Sequence, residues 1–435
     1  MEKLFLGVGR TVITPPIGTA LAGYGKGLYS DSRADDLTAT AFWFRQGDRQ
    51  AAMVSLTLCS LHNTVRDVLL QLIEERFGIP QGLCMLSCTH THSGPSTFPA
   101  APGEPENPFP KEILYPKVLE ALDAAREGLR AVTVGTAHGE SRIGINRRQL
   151  EPDNSVILGQ NPWGSYDPKM TVLSFRDEEE KIYANIVHYG CHGTCAGHHH
   201  SISRDWSGFM IDRLEQHSGG VTAFFNGTCG DTGPRLSNGK TTGKGDYRYV
   251  YEIGYAAGAD AVRIFNSISS YREVNLKVTA CSISFPVAPL EPLEEAQKLY
   301  DSIQDDSAVL PRTKKQRAAR VIEAYKNGFV PSDTYTVPQT IVRLGDTAIF
   351  SLPFETFSGI GLRVNGYSSI PNVLCFGHTN GAESYLPTQD QLCLGGYEVN
   401  MFRHRHLQPF PDNADWIVIS TTLENLKTVA EETDA

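Results

Sequence analysis

Apolar and polar positions alternate with a period of two over residues 38–44, break at Gly47-Asp48, and pass into a largely apolar run over 51–58. This pattern predicts a β-hairpin. From about 64 to 77 the period changes to that of a helix, with Val65, Val68, Leu69, Leu72, Ile73 and Phe77 on the apolar side. Asn63 or Thr64 is placed to cap its start, and Gly78 with Pro80 to stop it. A buried strand over 83–87 then runs into the polar loop 88–95. The same order recurs twice. A hairpin over 171–175 and 182–187 leads to a helix over 205–217, a strand over 221–225 and the loop 226–234. A third hairpin over 340–344 and 348–352 leads to a glycine-bearing helix over 356–364, a strand over 372–376 and the loop 377–381.

The expected fold is therefore α/β, with mixed sheets flanked by helices and one hairpin–helix–strand unit used three times. Strand–helix–strand crossovers are right-handed, and ligands collect at the carboxyl ends of such strands, so three polar loops can face one cavity. Insertions fall near 96–150, 235–275 and 289–327. The last of these reads as two amphipathic helices, whose basic run (Arg312, Lys314, Lys315, Arg317, Arg320) reads as a solvated face. No composition break divides the chain, so 1–435 is expected to be one catalytic domain.

Composition narrows the setting. Of 435 residues, 40% are apolar and 20% charged, which suits a folded chain with ample core. The balance of 39 basic against 49 acidic residues, a net charge of −10, disfavours nucleic acid and anionic membranes as partners. No apolar run reaches the length of a membrane span, and the N-terminus lacks the pattern of a secretion signal. Nine scattered cysteines without C-x-x-C pairs read as reduced thiols. The expected setting is cytoplasmic, with a small-molecule substrate. The oligomeric state is open.

Histidine is unevenly placed. His90 and His92 stand two apart at a strand end, so in extended chain both rings face one side. His192 follows a buried strand in the second unit, at a place read as corresponding to His90. Glu355 leaves a buried run in the third and needs a partner, either a cation or a helix N-terminus. Two histidines and a glutamate with an open water position form a known catalytic zinc set. Spacing alone does not bring the three together. The run His198–His200 reads as loop, since consecutive side chains diverge. Cys229 is a rival thiol nucleophile, and neither a G-x-S-x-G elbow nor an S-x-x-K site is present.

Seven ordered stretches carry a resemblance. They are GVGRTVITPP (7–16), THTHSGP (89–95), GINRR (144–148), CHGT with ISRDWSG (191–194, 202–208), GDTGP (230–234), LPFETF (352–357) and SYLPT with GGYE (384–388, 395–398). Together the chain resembles the catalytic domain of the neutral/alkaline ceramidase family. The resemblance implies a zinc amidase holding one Zn2+ per chain through His90, His192, Glu355 and Tyr385. It implies that His92, Arg147 and Tyr397 surround the scissile carbonyl. Iron or manganese also suits such donors. Against the family pattern, a C-terminal β-sandwich domain is not expected here. Thr57 stands where an aspartate is usual, and histidines precede Ile202 where asparagine is usual. The expectation is thus a zinc hydrolase of a small soluble amide, ester or lactone rather than ceramide. Two alternatives stay open: a metal enzyme of carbohydrates or cyclic polyols, supported by His198–His200, and a non-catalytic metal-binding relative.

Overall fold

The computed structural model describes residues 2–25, 27–99, 106–236 and 246–430. The Gly/Lys-rich loop of the second insertion and the Pro-rich stretch 100–105 of the first lie outside the described residues. All three predicted hairpins form. Each is followed by its helix and by a strand parallel to the second hairpin strand.

The first unit contains β1 (Leu4–Val12), β2 (Thr38–Gln46), β3 (Arg49–Leu56), helix α1 (Asn63–Phe77) and β4 (Cys84–Cys88). Helix α2 (Tyr115–Glu127) leads into β5 (Arg130–Glu140), which opens the second unit. That unit continues with β6 (Lys169–Asp177), β7 (Ile182–Tyr189), helix α3 (Trp206–Ser218) and β8 (Val221–Asn226). Helix α4 (Tyr247–Phe265) precedes β9 (Leu276–Pro286), and helices α5 (Leu293–Ser302) and α6 (Val309–Lys326) form the predicted pair. The third unit then completes with β10 (Thr334–Leu344), β11 (Thr347–Ser351), helix α7 (Ser358–Tyr367) and β12 (Asn372–Phe376). Helices α8 (Tyr397–Arg405) and α9 (Ala414–Leu426) follow.

The repeating unit is wider than the sequence pattern suggested. An antiparallel strand precedes every hairpin, giving β1-β2-β3-β4, β5-β6-β7-β8 and β9-β10-β11-β12 in space. Antiparallel pairing of β1 with β5 fuses the first two units into one eight-stranded sheet. The two sheets pack face to face. Phe42 and Phe44, Phe175, Phe225, Ile349 and Phe376 meet in one core that draws on all three units. Alternate residues of the same strands point the other way, as the pleat requires. Trp43, Val54 and Leu56 thus join a second core beneath α1 and α2. Helices α3 and α4 cover the second unit, and α7 with α9 cover the third.

The glycines of the GVGR stretch have a packing cause. A Cβ built on Gly7 would lie 1.7 Å from the Ala125 carbonyl oxygen, and one on Gly9 would lie 2.1 Å from that of Ala121. Helix α2 rests directly on the backbone of β1.

Three local readings change. His62, not Asn63 or Thr64, caps α1, its side chain accepting from the Thr64 N–H. Asn63 instead reaches the third unit, bonding Glu383 and the Ala382 N–H. Helix α7 starts at Ser358, so Glu355 is not in its first turn. The basic run on α6 is not wholly a solvated face. Arg317 bonds Glu291 and the Leu407 carbonyl, and Arg320 donates to the carbonyls of His404 and Arg405 at the end of α8. All nine cysteines are free thiols. Among the described residues no helix is long and apolar enough to cross a membrane.

Candidate metal centre

The carboxyl ends of the parallel strand pairs converge. The Cys88 N–H donates to the His378 carbonyl, the Gly377 N–H to that of Asn226, and the Asn226 amide to those of Thr89 and Cys191. Each loop is thus anchored to its neighbours, and the side chains that leave them are held in a shared, buried space.

His90, His192 and Glu355 meet there. One ligand atom of each lies within 4.8 Å of the others. His90 Nε2 is 3.5 Å from Glu355 Oε2, and His192 Nε2 is 3.3 Å from the same oxygen. The opposite ring nitrogens are fixed. His90 Nδ1 donates to the Cys59 carbonyl at 2.7 Å, and His192 Nδ1 to that of Cys229 at 2.8 Å. Those bonds fix both rings and aim both Nε2 atoms at Glu355, the arrangement that orients metal-binding histidines. His192 Nε2 and Glu355 Oε2 are buried and have no hydrogen-bond partner. Buried polar atoms without partners are rare. Three convergent donors of nitrogen and oxygen fit a divalent ion such as zinc.

The charges agree with that fit. Burial opposes ionisation of Glu355, yet His90 and His192 beside it hold its carboxyl well below the usual range. Burial also opposes a charge on His90, but Cys59 and Glu355 outweigh it and lift the imidazole to about 10. Burial, Arg147 and then His90 keep His192 at about 3. One positive charge is therefore called for beside Glu355, and either a proton on His90 or a cation supplies it.

His192 does not stand at the counterpart of His90. His90 leaves the closing strand β4, whereas His192 leaves the hairpin strand β7. Glu355 follows β11, the counterpart of β7, and pairs in register with Tyr385 in a short parallel bridge. Tyr385 is buried, and Arg147 Nη2 donates to its hydroxyl at 2.9 Å. Burial pushes the Tyr385 phenol well up, while the Arg147 charge works in the opposite direction. Tyr397 packs edge-on to Tyr385 with ring centres 5.6 Å apart. Burial, then the Glu355 charge, pushes its hydroxyl to about 12.

His92 Nε2 lies 3.2 Å from His90 Nε2, and its Nδ1 is buried without a partner. Burial and the neighbouring His90 and His192 hold it well below its ordinary value, so the ring is neutral. Tyr24 packs against it edge-on. A Cβ on Gly23, at φ +110°, would fall 2.5 Å from the His92 ring. Cys59, His90 and His92 form a second cluster of close donors, which shares His90 with the first.

Two residues escaped the sequence reading. Glu398 is a buried carboxylate that accepts from Arg147 Nε at 2.9 Å and from Arg148 Nη1 at 2.8 Å. It stands in the GGYE stretch, beside the tyrosine that drew attention. His378 stacks on His90 with centres 3.9 Å apart. Its loop was recognised, but not its role as a wall for His90. Arg147 thus pairs with a buried acid. Asp231 accepts from the Ser358 N–H and hydroxyl and so holds the start of α7. Cys229 Sγ lies 3.0 Å from His378 Nε2, yet burial pushes its thiol well up, which disfavours the thiolate that a nucleophile needs. The His198–His200 side chains diverge, to Tyr24, Tyr247 and the Tyr29 carbonyl. A cavity of about 200 Å³ reaches the centre. Glu355, His378, Tyr385 and Tyr397 are among the residues that line it.

Residues 4–247 match the family described as neutral/alkaline non-lysosomal ceramidase, N-terminal. Neutral ceramidase A of Dictyostelium discoideum is 28% identical over 257 residues, covering 53% of this chain and 35% of that protein. Neutral ceramidase of Pseudomonas aeruginosa is 29% identical over 196 residues, covering 41% of this chain and 29% of that protein. The chain spans about a third of the length of the curated relatives it matches. The crystal structure of the Pseudomonas aeruginosa enzyme superposes with a TM-score of 0.74 at 20% identity, over 97% of this chain and 74% of that one. A ceramidase structure described as complexed with C2 gives 0.71 at 18%, with the same coverage. At these identities the structural likeness shows a common fold.

Proposed function

The chain belongs to the neutral/alkaline non-lysosomal ceramidase family, and from that premise we propose that it is a zinc-dependent hydrolase of a small acyl compound, an amide before an ester or lactone. The observation that carries this reading is the convergence of His90 Nε2, His192 Nε2 and Glu355 Oε2, two of them buried without partners. These three would hold the ion, with Tyr385 as the fourth ligand. When bound, the ion supplies a water of lowered pKa and polarises a carbonyl.

The chain's own groups account for the rest. His92 is neutral and its Nε2 faces the centre, 3.2 Å from His90 Nε2, so His92 would take a proton from the attacking water there and return it to the leaving group. Tyr397 keeps its proton at neutral pH and donates a hydrogen bond to the developing oxyanion. Such a donor contributes about 3–4 kcal/mol to transition-state stabilisation. Arg147 acts in part through Tyr385, favouring the deprotonated phenol that a ligand must be. A cavity of about 200 Å³ suits a short acyl compound better than a long-chain lipid. One catalytic domain is part of the proposal, since the central core draws on all three units.

Elemental analysis of the purified protein, with hydrolysis assays on short N-acyl amides before and after chelation, tests the reading. About one zinc per chain and chelator-sensitive turnover are expected. Full turnover by metal-free protein would overturn it.

A further inference from the structure

Helix α8 runs along the cavity that holds Glu355. Tyr397, Met401 and Arg405 lie four residues apart in succession and all line the cavity, so one face of the helix forms its wall. Eight residues of helix rise about 12 Å, which separates the backbone of Arg405 from that of Tyr397 by that distance.

Arg405 is a cation without a local assignment. Its guanidinium lies over the Phe98 ring, 5.8 Å from the centre, and among the described residues no carboxylate pairs with it. It is not needed to close the helix, because Arg320 already donates to the last carbonyls of α8, including that of Arg405. Its charge is felt nearby. Burial first, then Arg405 and Arg320, hold His406 at about 4. Among the described residues, the lining carboxylate other than Glu355 is Glu383, and it is engaged elsewhere. Glu383 Oε1 accepts from Asn63 at 2.9 Å, and Oε2 accepts from the Tyr335 hydroxyl at 2.8 Å.

An unmatched cation in a cavity is a recognition element for an anion, and a guanidinium pairs with a carboxylate through two parallel bonds. Phe98 and Met401 supply apolar wall in the same cavity. With Glu383 nearby, a single negative charge is favoured over a phosphate dianion. We propose that Arg405 is a specificity-determining residue that selects acyl compounds ending in a carboxylate remote from the bond that is cleaved. The inference rests on the hydrolase reading for its catalytic consequence and on the cavity alone for binding.

Zinc-loaded protein should be assayed on glutaryl p-nitroanilide and its neutral partner pentanoyl p-nitroanilide, which differ only in the terminal carboxylate. We expect kcat/KM to favour the glutaryl compound by about 10- to 100-fold, the worth of one charge-assisted hydrogen bond. In Arg405→Gln the ratio should fall toward one, and Arg405→Lys should restore part of it. A wild-type ratio of one or less overturns the inference. If neither compound is turned over, the hydrolase reading fails, and calorimetry of glutarate against pentanoate decides the inference separately. Tighter glutarate binding that Arg405→Gln weakens by about tenfold or more supports it. Equal binding of the two acids overturns it.

Discussion

The Arg147–Glu398–Arg148 cluster gives the sharpest test of how the site is held. Glu398 and Arg147 are each 1% exposed and Arg148 is 3% exposed, so none is screened by water. Two guanidinium groups share one carboxylate, at 2.9 and 2.8 Å. Replacing Glu398 by Gln keeps the shape and one acceptor. It removes the charge and leaves two buried cations without a counter-charge. Breaking a buried pair in this way costs about 3–5 kcal/mol, more than the pair itself contributes. With an unfolding entropy of about 2.1 cal/mol/K per residue, a chain of this length has about 0.9 kcal/mol/K, so the midpoint should fall by about 3–5 °C. Calorimetry at a fixed scan rate measures this. Because Arg147 also donates to Tyr385, the folded variant should bind zinc more weakly at a temperature well below its transition. A midpoint within about 1 °C of the wild type, with zinc affinity unchanged, would refute the view that Glu398 holds Arg147 in place.

Other outcomes follow from single contacts. His192→Ala and Glu355→Gln should each lose the ion by elemental analysis while keeping the far-UV spectrum, and retention of a full equivalent in either would remove that residue from the ligand set. Gly23→Ala places a methyl against the His92 ring and asks alanine for a positive φ, a strain of about 1–3 kcal/mol; turnover should fall by about tenfold or more with zinc content unchanged. Burial raises the Asp231 carboxyl to about 6, from 3.8 in a solvated chain. Because the folded value is the higher one, this group favours the fold below about pH 4, and that contribution is lost as pH rises through 6. Asp231→Asn keeps the acceptor for Ser358 without the buried charge. Its stability relative to wild type should therefore rise between pH 4 and pH 7 by an amount on the order of 2–3 kcal/mol, read from urea midpoints. A flat difference over that range would show that the carboxylate is well solvated.

Much of this was legible because strand and helix periods are local signals. The three hairpins, their helices and their closing strands follow from alternation, turn residues and Gly78 or Gly219 at helix ends. The strand that precedes each hairpin was not legible. β9 is half exposed along much of its length, so its polar positions hide it, and β1 owes its glycines to the helix lying on it. His90 and His92 announced themselves by spacing. Tyr385 and Tyr397 did not, and only the resemblance singled them out. Glu398 and His378 were missed for a physical reason: each acts on a group far away in sequence, one through two arginines and the other by stacking, and neither interaction leaves a local period.

The three units explain why no local motif could contain the centre. Each unit delivers one of the three convergent side chains: His90 from the first, His192 from the second, Glu355 from the third. The partner carbonyls follow a reciprocal rule. His90, on the closing-strand loop of its unit, is aimed by Cys59 on the hairpin-strand loop. His192, on the hairpin-strand loop, is aimed by Cys229 on the closing-strand loop. Ring direction is thus set within a unit, whereas the distance between ligands is set between units, by the core the two sheets share. An ion bound there would couple all three and stabilise the fold by RT ln(1 + [L]/Kd), about 2.7 kcal/mol at a hundredfold excess over Kd. It follows that disturbing the shared core at Phe225 or Phe376, neither of them a ligand, should weaken ion binding along with stability, whereas a change confined to the outer layer under α1 should lower stability alone. Leu69→Ala and Phe376→Leu, compared by zinc affinity at matched stability, separate the two, and equal affinities would show that the centre is organised by its loops and not by the sheets.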